Sequence, residues 1–376
     1  MLIASTRDGF AEILGMLRPA ASVSFSLLDN HPVLFDEASQ KIYALNQVAA
    51  FIWCSLVDGM TASAICRALG EAGVTAAEAA DHLEHAIQDW LALGLLDANL
   101  DLRPANRFSI GLGDLEIAIQ TSSERLARQT ALLFCETRRV VGPVSDAFQV
   151  IEWREEVYVF RNGAYVARCA PEEMAPTLKA VITEQALLRN SARPIFHAAC
   201  LSWNGEAVLL SGPPGGGKTT LAVHLMQAGF GYAGDDIVLI EPGGRATGMA
   251  FAPTIKSGAW AIISKLRPEL AGCRVHRRSD GMRVRYLNVR SVPSRSVPIR
   301  WIIFIRRAST NSLEITPLSQ IDSMRRLVAG SYSPDGKLNH SGFDAMKQIV
   351  VGASCFELTY SHADQAALGI TALCNG

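Results

Sequence analysis

Eight consecutive residues, Gly212-Pro213-Pro214-Gly215-Gly216-Gly217-Lys218-Thr219, carry the sharpest chemical signal in the chain. They match the phosphate-loop pattern G-x-x-x-x-G-K-[ST]. An apolar run, Ala207 to Leu210, leads in, and a helical run, Leu221 to Ala228, leads out and stops at Gly229. Glycines let backbone N–H groups converge on phosphate oxygens, where a helix N-terminus adds positive potential. Residues Gly212 to Thr219, with Thr220 beyond them, are therefore the candidate nucleotide-binding residues. Lys218 would reach the β- and γ-phosphates of ATP, and the Thr219 hydroxyl would bind Mg²⁺. A plain Gly-rich turn before a helix needs neither the Lys nor the Thr. Chance would produce the match in about one chain in a hundred of this length.

Seventeen residues beyond Lys218 stands Asp235-Asp236, followed by Ile-Val-Leu-Ile. In ordinary phosphate-loop ATPases the magnesium-directed Asp ends an apolar strand; here the acids precede it. Two adjacent carboxylates near phosphates can divide the work, one organising Mg²⁺ and the other accepting a hydroxyl proton. A solvated strand-entry pair is the bland alternative. His197 lies 15 residues before Gly212, at the start of a strand pair with Ala198 to Trp203 and Ala207 to Leu210. The other histidines read as core or surface residues. Arg274, Arg277, Arg278, Arg283, Arg285 and Arg290 form a basic band that could clamp phosphate or dock an acidic peptide. Equally, they could be solvated strand faces and loop residues. Arg283 and Arg285 are the candidates for a catalytic arginine.

The elements that must position these groups belong to a 376-residue chain, 49% hydrophobic, with 35 basic and 36 acidic side chains. That length suggests two or three domains, and neither disorder nor a fibrous repeat fits the composition. A net charge of -1 argues against general nucleic-acid binding. The balance is uneven: residues 1–100 carry four Lys/Arg against twelve acids, whereas 265–307 carry twelve against two. The start lacks a signal-peptide pattern, and no window approaches the length of a membrane helix. Eight scattered cysteines without a CxxC pair read as reduced thiols, with no zinc site or disulfide framework. A cytoplasmic location is the expectation.

Ser24 to Leu28 and Pro32 to Asp36 read as a strand pair around Asp29-Asn30. Asn46 reads as the cap of a helix ending at Gly59, Thr61 as the cap of a second, and Ala76 to Leu93 as a third. Asp97 to Arg107, with Pro104, reads as a linker. Leu115 to Thr121 alternates like a strand, Tyr158 to Cys169 reads as a hairpin around Asn162-Gly163, and a helix is expected over about 171–190. From 196 onward strands and helices alternate, which suggests an α/β core. The expected domains are thus 1–100, a small mixed α+β region over 101–195, and 196–376.

His197, Gly212 to Thr219 and Gly234-Asp235-Asp236 resemble, in order and spacing, the pattern of HPr kinase/phosphorylase, a bacterial family that phosphorylates a serine on a carrier protein. The resemblance covers about 196–260 and implies a phosphate-loop kinase core. By it, Lys218 contacts phosphate, Thr219 binds Mg²⁺, Asp236 accepts the proton with Asp235 beside it, and His197 supports the site. The family's magnesium-binding Glu is absent, and Lys256 stands in that region as in a divergent HPr-kinase-related branch. The family's signature loop is not recognisable either, so forward transfer is better supported than the reverse reaction. The family's tendency to oligomerise implies a possible homo-oligomer.

Leu45-Asn46-Gln47, Phe51-Ile52-Trp53, Leu56-Val57-Asp58-Gly59 and Leu91-Ala-Leu-Gly94-Leu-Leu96 resemble the PqqD-like fold over about 23–97. That resemblance implies a small winged-helix unit that takes leader segments of ribosomally made precursor peptides, typically as an added strand. Winged helices can also bind DNA, but the acidic front opposes that.

The leading expectation is an ATP-dependent kinase acting on a hydroxyl, most simply a Ser, of a precursor peptide, with kinases of lasso-peptide precursors as the nearest analogy. Its alternatives are a kinase of a folded carrier protein or small molecule, and a non-enzymatic nucleotide-gated peptide chaperone.

Overall fold

The computed structural model describes residues 13–98, 107–112, 115–135, 144–190, 193–241, 243–292, 296–309, 312–332 and 338–376. Their contacts divide them into two compact units. One is drawn from 1–109, 117–128 and 144–174, and the other from 110–116, 129–143 and 175–376.

In the first unit, β1 (Leu17–Pro19) precedes an antiparallel meander of β2 (Val23–Leu28), β3 (His31–Asp36) and β4 (Lys41–Ala44). The expected turn is present: Asp29 and Asn30 take φ of 48° and 65°, which short polar side chains tolerate, and Leu28 faces His31. Helices α1 (Gln47–Val57), α2 (Ala62–Glu71) and α3 (Ala76–Leu93) each start at a side-chain cap. Asn46 accepts from the Ala49 N–H, Thr61 from Ala64, and Thr75 and Glu78 cap one another reciprocally. Gly94, at φ 74°, ends α3, and β5 (Leu96–Ala98) returns antiparallel to β1. Asp97, expected in the linker, is thus a strand residue, and 99–106 lie outside the described residues.

A second sheet follows in the order β10-β9-β8-β7-β6, built from β6 (Arg107–Leu112), β7 (Leu115–Thr121), β8 (Asp146–Trp153), β9 (Glu156–Arg161) and β10 (Ala164–Cys169), with α4 (Glu124–Ala131) after β7. Asn162 and Gly163, at φ 51° and 89°, make the hairpin turn between β9 and β10. The front helices do not close their own core. Leu83, Ile87 and Trp90 of α3 pack with Ile52 and Trp53 of α1, and Ile151, Trp153, Tyr158 and Phe160 of β8 and β9 complete the cluster. Each large apolar side chain buried there contributes about 1.5–3 kcal/mol.

The second unit runs α5 (Met174–Arg189), β11 (Ile195–Phe196), β12 (Ala198–Trp203), β13 (Glu206–Ser211), α6 (Lys218–Gln227), β14 (Gly231–Gly234), β15 (Val238–Glu241) and β16 (Arg245–Gly248). It continues through β17 (Thr254–Lys256), α7 (Trp260–Leu266), β18 (His276–Arg277), β19 (Arg283–Tyr286), β20 (Val297–Arg307), β21 (Leu313–Pro317) and α8 (Gln320–Gly330). Last come β22 (Ser331–Tyr332), α9 (His340–Gly352), β23 (Ser354–Tyr360) and α10 (Ala363–Asn375). Its large sheet has the order β14-β12-β13-β20-β16-β15-β11-β22, with β23 also on β20 and β21 on β23.

The adjacent strands β13, β20 and β23 are parallel, and the central stretches of β13 and β20 are apolar on both faces, as strands covered by helices on two sides must be. Ala207 and Leu209 meet Leu327 of α8 and Met346 and Ile349 of α9. Their neighbours Val208 and Leu210 meet Leu221 and Leu225 of α6 and Ile370 of α10 on the opposite face. A separate antiparallel sheet, β17-β19-β18, stands beside this core sequence.

Candidate functional site

The loop between β13 and α6 is shaped by what its glycines lack. Gly215 and Gly217 take φ of 77° and 96°, where an L side chain is strained. A Cβ on Gly217 would lie 2.6 Å from the Tyr360 hydroxyl, and one on Gly212 would lie 2.7 Å from the Ile305 carbonyl oxygen. The Gly216 N–H donates to Pro213 O at 3.0 Å, and Tyr360 Oη donates to Gly216 O at 3.3 Å. Lys218 opens α6 and folds its ammonium back onto the loop, donating to Gly212 O at 2.9 Å and Pro213 O at 3.2 Å. The side chain is buried, and burial pushes its pKa below the ordinary lysine value against the opposing pull of Asp235 and Asp236.

The next residue joins the loop to the Asp pair. Thr219 Oγ1 donates to Asp235 Oδ2 at 2.6 Å, while the Asp236 N–H donates to Asp235 Oδ1 at 3.0 Å. Asp235 is 1% exposed. Burial, with the Asp236 charge beside it, pushes its carboxyl up to about 6. Gly234 before it is a steric necessity, since a Cβ there would sit 2.6 Å from Met249 O.

Asp236 is held differently. Its φ is 74°, a conformation that Asp and Asn adopt more readily than other non-glycine residues. Lys179 of α5 donates to Asp236 Oδ2 at 3.0 Å and to Thr254 Oγ1 at 2.9 Å, and its ammonium lies 5.3 Å from the centre of the Phe251 ring. The Lys179 charge is the main reason that the Asp236 carboxyl stays below its ordinary range. His197 Nδ1 lies 3.0 Å from Asp236 O. A carbonyl only accepts, so Nδ1 carries the proton of this hydrogen bond. Desolvation first, then Lys218 and to a lesser extent Lys256, lower the His197 pKa, which favours the neutral ring.

The second unit thus brings Lys218, Thr219, Asp235, Asp236 and His197 together around the Gly212–Gly217 loop. Arg283 and Arg285 are held against Trp260. Their guanidinium carbons lie 5.5 and 4.3 Å from the centre of the Trp260 ring, and Arg285 Nη1 donates to Leu270 O at 3.1 Å. Side chains alternate along a strand, so these two share one face of β19 while Tyr286, whose pKa the Asp236 charge helps to raise, is on the other. Lys179 and Thr254 carried no sequence signal, because one is a single Lys in an apolar helix and the other a strand Thr. Tyr360 likewise sits far along the chain from the glycines it touches.

The arrangement offers Mg²⁺ a hydroxyl and a carboxylate oxygen in mutual contact. Among the described residues no cluster of three or more His, Cys, Asp or Glu gathers at one point. Mg²⁺ keeps several waters and takes one or two carboxylates together with substrate phosphates, so Thr219 and Asp235 are the residues that would hold it.

In the first unit, β2 and β4 are the outer strands of their three-stranded sheet, and Leu27, Leu28 and Ile42 on them are exposed. A groove of about 790 Å³ is lined by Leu17, Leu56, Met60 and neighbouring residues. Among the described residues no helix is long and apolar enough to cross a membrane.

Two solved structures are similar to parts of the chain. One is TbiB1 in complex with the TbiA(beta) leader peptide, at 21% identity and a TM-score of 0.21, covering 22% of this chain and 99% of that one. The other is the Hpr(Ser) kinase/phosphatase from Coxiella burnetii, at 14% identity and a TM-score of 0.22, covering 48% and 94%. No curated protein matches the chain. Residues 32–96 match the family model described as coenzyme PQQ synthesis protein D (PqqD), so the front unit carries a PqqD-like domain.

Proposed function

We propose that the chain is an ATP-dependent kinase that phosphorylates a hydroxyl, in the first instance a serine, on a ribosomally synthesised precursor peptide such as a lasso-peptide precursor. The observation that carries this reading is the Thr219–Asp235 hydrogen bond, which ties the phosphate loop to a carboxylate pair. In this reading the second unit is a phosphate-loop kinase core of HPr-kinase type. Backbone N–H groups of Gly215 to Thr219 bind phosphate, and Thr220 follows them in the first turn of α6. Lys218 leaves its carbonyl partners to follow the terminal phosphate. Thr219 and Asp235 would hold Mg²⁺, which when bound offsets charge on the phosphate oxygens.

Asp236 accepts the acceptor hydroxyl's proton as that oxygen bonds to the γ-phosphorus and the bond to the bridging oxygen breaks, releasing ADP. Lys179 engages Oδ2, so Oδ1 takes the proton. Lys179 keeps the carboxylate charged and oriented, while His197 holds the Asp236 backbone carbonyl. Arg283 and Arg285 are engaged by Trp260, and no catalytic role is proposed for them. With Lys256 in place of an acid, the surroundings of Lys218 are more cationic, which favours a polyphosphate.

The PqqD-like domain, read as a winged-helix unit, would recruit the leader as a strand added along an edge of the β2–β3–β4 sheet. The test is to incubate the full chain with ATP and Mg²⁺ and a short precursor peptide, then read the peptide by mass spectrometry. The expected result is a gain of one phosphoryl group. ADP release without transfer would instead mark a nucleotide-gated peptide binder.

A further inference from the structure

We propose that Arg283 and Arg285 of β19, carried on Trp260, form a docking surface for an acidic peptide. That the occupant is an acidic stretch of the substrate rests on the kinase reading above; the surface itself follows from charge. Residues 254–290 hold nine Lys/Arg and two acids, Glu269 and Asp280. Both acids are already engaged, Glu269 by Arg267 at 2.6 Å and Asp280 by Arg278 at 3.1 Å. Among the described residues no carboxylate pairs with Arg274, Arg283 or Arg285. Arg274 and Arg283 are exposed, and Arg285 is half-buried.

The charges are held together rather than dispersed. Trp260 donates its indole N–H to Ile255 O at 2.9 Å, which fixes the ring. Because Arg283 and Arg285 both lie against that ring, their guanidinium carbons are at most about 10 Å apart, one screening length at 0.1 M salt. The two charges therefore repel. Arg277 of β18 stands opposite Arg283 and adds a third positive charge to the same face. Arg285 Nη1 reaches Leu270 O, while its Nε is buried without a hydrogen-bond partner, so the protein leaves this guanidinium incompletely satisfied. A bound anion would offset the repulsion.

Spacing selects the occupant. Arg283 and Arg285 are two residues apart on a strand, about 7 Å along it. An extended peptide presents alternate side chains at the same interval, so acids at every second position meet both guanidiniums. An arginine lying on an aromatic ring is oriented to take a carboxylate through two N–H groups, and arginine clusters recognise acidic motifs in this way. A nucleic acid fits less well, because the arginines already occupy Trp260 and leave no ring for a base. The net charge of -1 points the same way.

The test is calorimetry on the full chain at low salt with a synthetic peptide alternating Glu and Thr. A counterpart with Gln in place of Glu, and a thymidine oligonucleotide, are the comparisons. The Glu peptide should bind, should weaken as salt rises, and should lose about two- to fivefold in affinity in Arg283→Ala. Arg283→Glu, which reverses an exposed charge, should lose about tenfold or more. ADP affinity should be unchanged in both variants, a check that the fold is intact. Failure of the wild type to bind the Glu peptide overturns the proposal, as does equal binding of the Gln peptide or undiminished binding by both variants. Tighter binding of the oligonucleotide than of the Glu peptide overturns it too. If the wild type binds the Glu peptide but not ADP, the kinase reading falls alone and the acidic-peptide surface stands.

Discussion

Lys179 Nζ lies 3.0 Å from Asp236 Oδ2, although 57 residues separate them in sequence. The same ammonium also holds Thr254, so one side chain of α5 ties β17 to the Asp pair. Lys179→Met should therefore loosen the carboxylate without touching the loop. Transfer should fall about 10–100-fold, the usual effect of removing a group that orients a reactive one, with ADP affinity little changed. Lys179→Arg should restore part of the rate. A wild-type rate in the Met variant would reduce the pair to a packing contact.

Asp236→Asn is a clean probe because Asn tolerates the positive φ at this position. It keeps size and removes basicity, so transfer should drop about 10²–10⁴-fold with modest change in ATP affinity. Asp235→Asn should instead raise the Mg²⁺ requirement, since Thr219 and Asp235 would share the ion. Single-turnover transfer across a Mg²⁺ titration separates the two. Near-wild-type rates for both would remove the pair from the chemistry.

The loop yields a paired test. Lys218→Ala should abolish transfer while leaving the fold intact, because its ammonium bonds only loop carbonyls among its described partners. Gly217→Ala should do more: the methyl carbon meets the Tyr360 hydroxyl, and the left-handed backbone costs a further 1–2 kcal/mol or so. Adding Tyr360→Phe should recover the steric part of the lost stability and leave the backbone part. Chemical denaturation reads both, and full recovery in the double variant would show that the backbone strain is negligible.

Asp36 makes the PqqD-like domain sensitive to acid. Burial alone would raise its pKa, but hydrogen bonds from Ser39, Ser22 and the Ala38 N–H outweigh burial and hold the carboxyl below its ordinary 3.8. A depressed carboxylate stabilises the fold fully above its unfolded pKa, and that stability is lost as pH falls through the folded value. Asp36→Ala should therefore cost about 1–3 kcal/mol near neutrality, and the gap from wild type should shrink below pH ~4. Thermal unfolding at pH 7 and at pH 3 is the measurement. An equal gap at both would mean that the hydrogen bonds do not depend on the charge.

The completed core of the front helices makes a prediction about fragments. A fragment ending at residue 100 leaves behind Ile151, Trp153, Tyr158 and Phe160 and exposes the apolar surface they cover. It should melt at lower temperature, and less cooperatively, than a fragment ending at residue 174. Calorimetry with a verified leader should then find tighter binding to the longer fragment. Equal melting of the two would show that the helices need no strand support.

Much of this molecule was legible in local sequence. The caps at Asn46 and Thr61, the Asp29-Asn30 and Asn162-Gly163 turns, and the strand–loop–helix around Gly212–Thr219 all appear where side-chain type and spacing place them. Each is decided within about four residues, by a hydrogen bond to a nearby N–H or by a φ that few residues accept. The order His197, loop, Asp pair was equally readable, because β12, β13 and β14 are neighbours in the sheet as well as nearly so in the chain. Tertiary structure alone decided the rest. Lys179 reached Asp236, and Tyr360 reached Gly217, through the crossing of α5 and the parallel placement of β23, across 57 and about 140 residues. Arg283 and Arg285 turned to Trp260 because strand alternation put them on the face of β19 opposite Tyr286. The front helices, expected to belong to a domain over 1–100, drew part of their core from β8 and β9. Such outcomes depend on which apolar faces find one another over long chain separations, and no spacing within a short window encodes that choice.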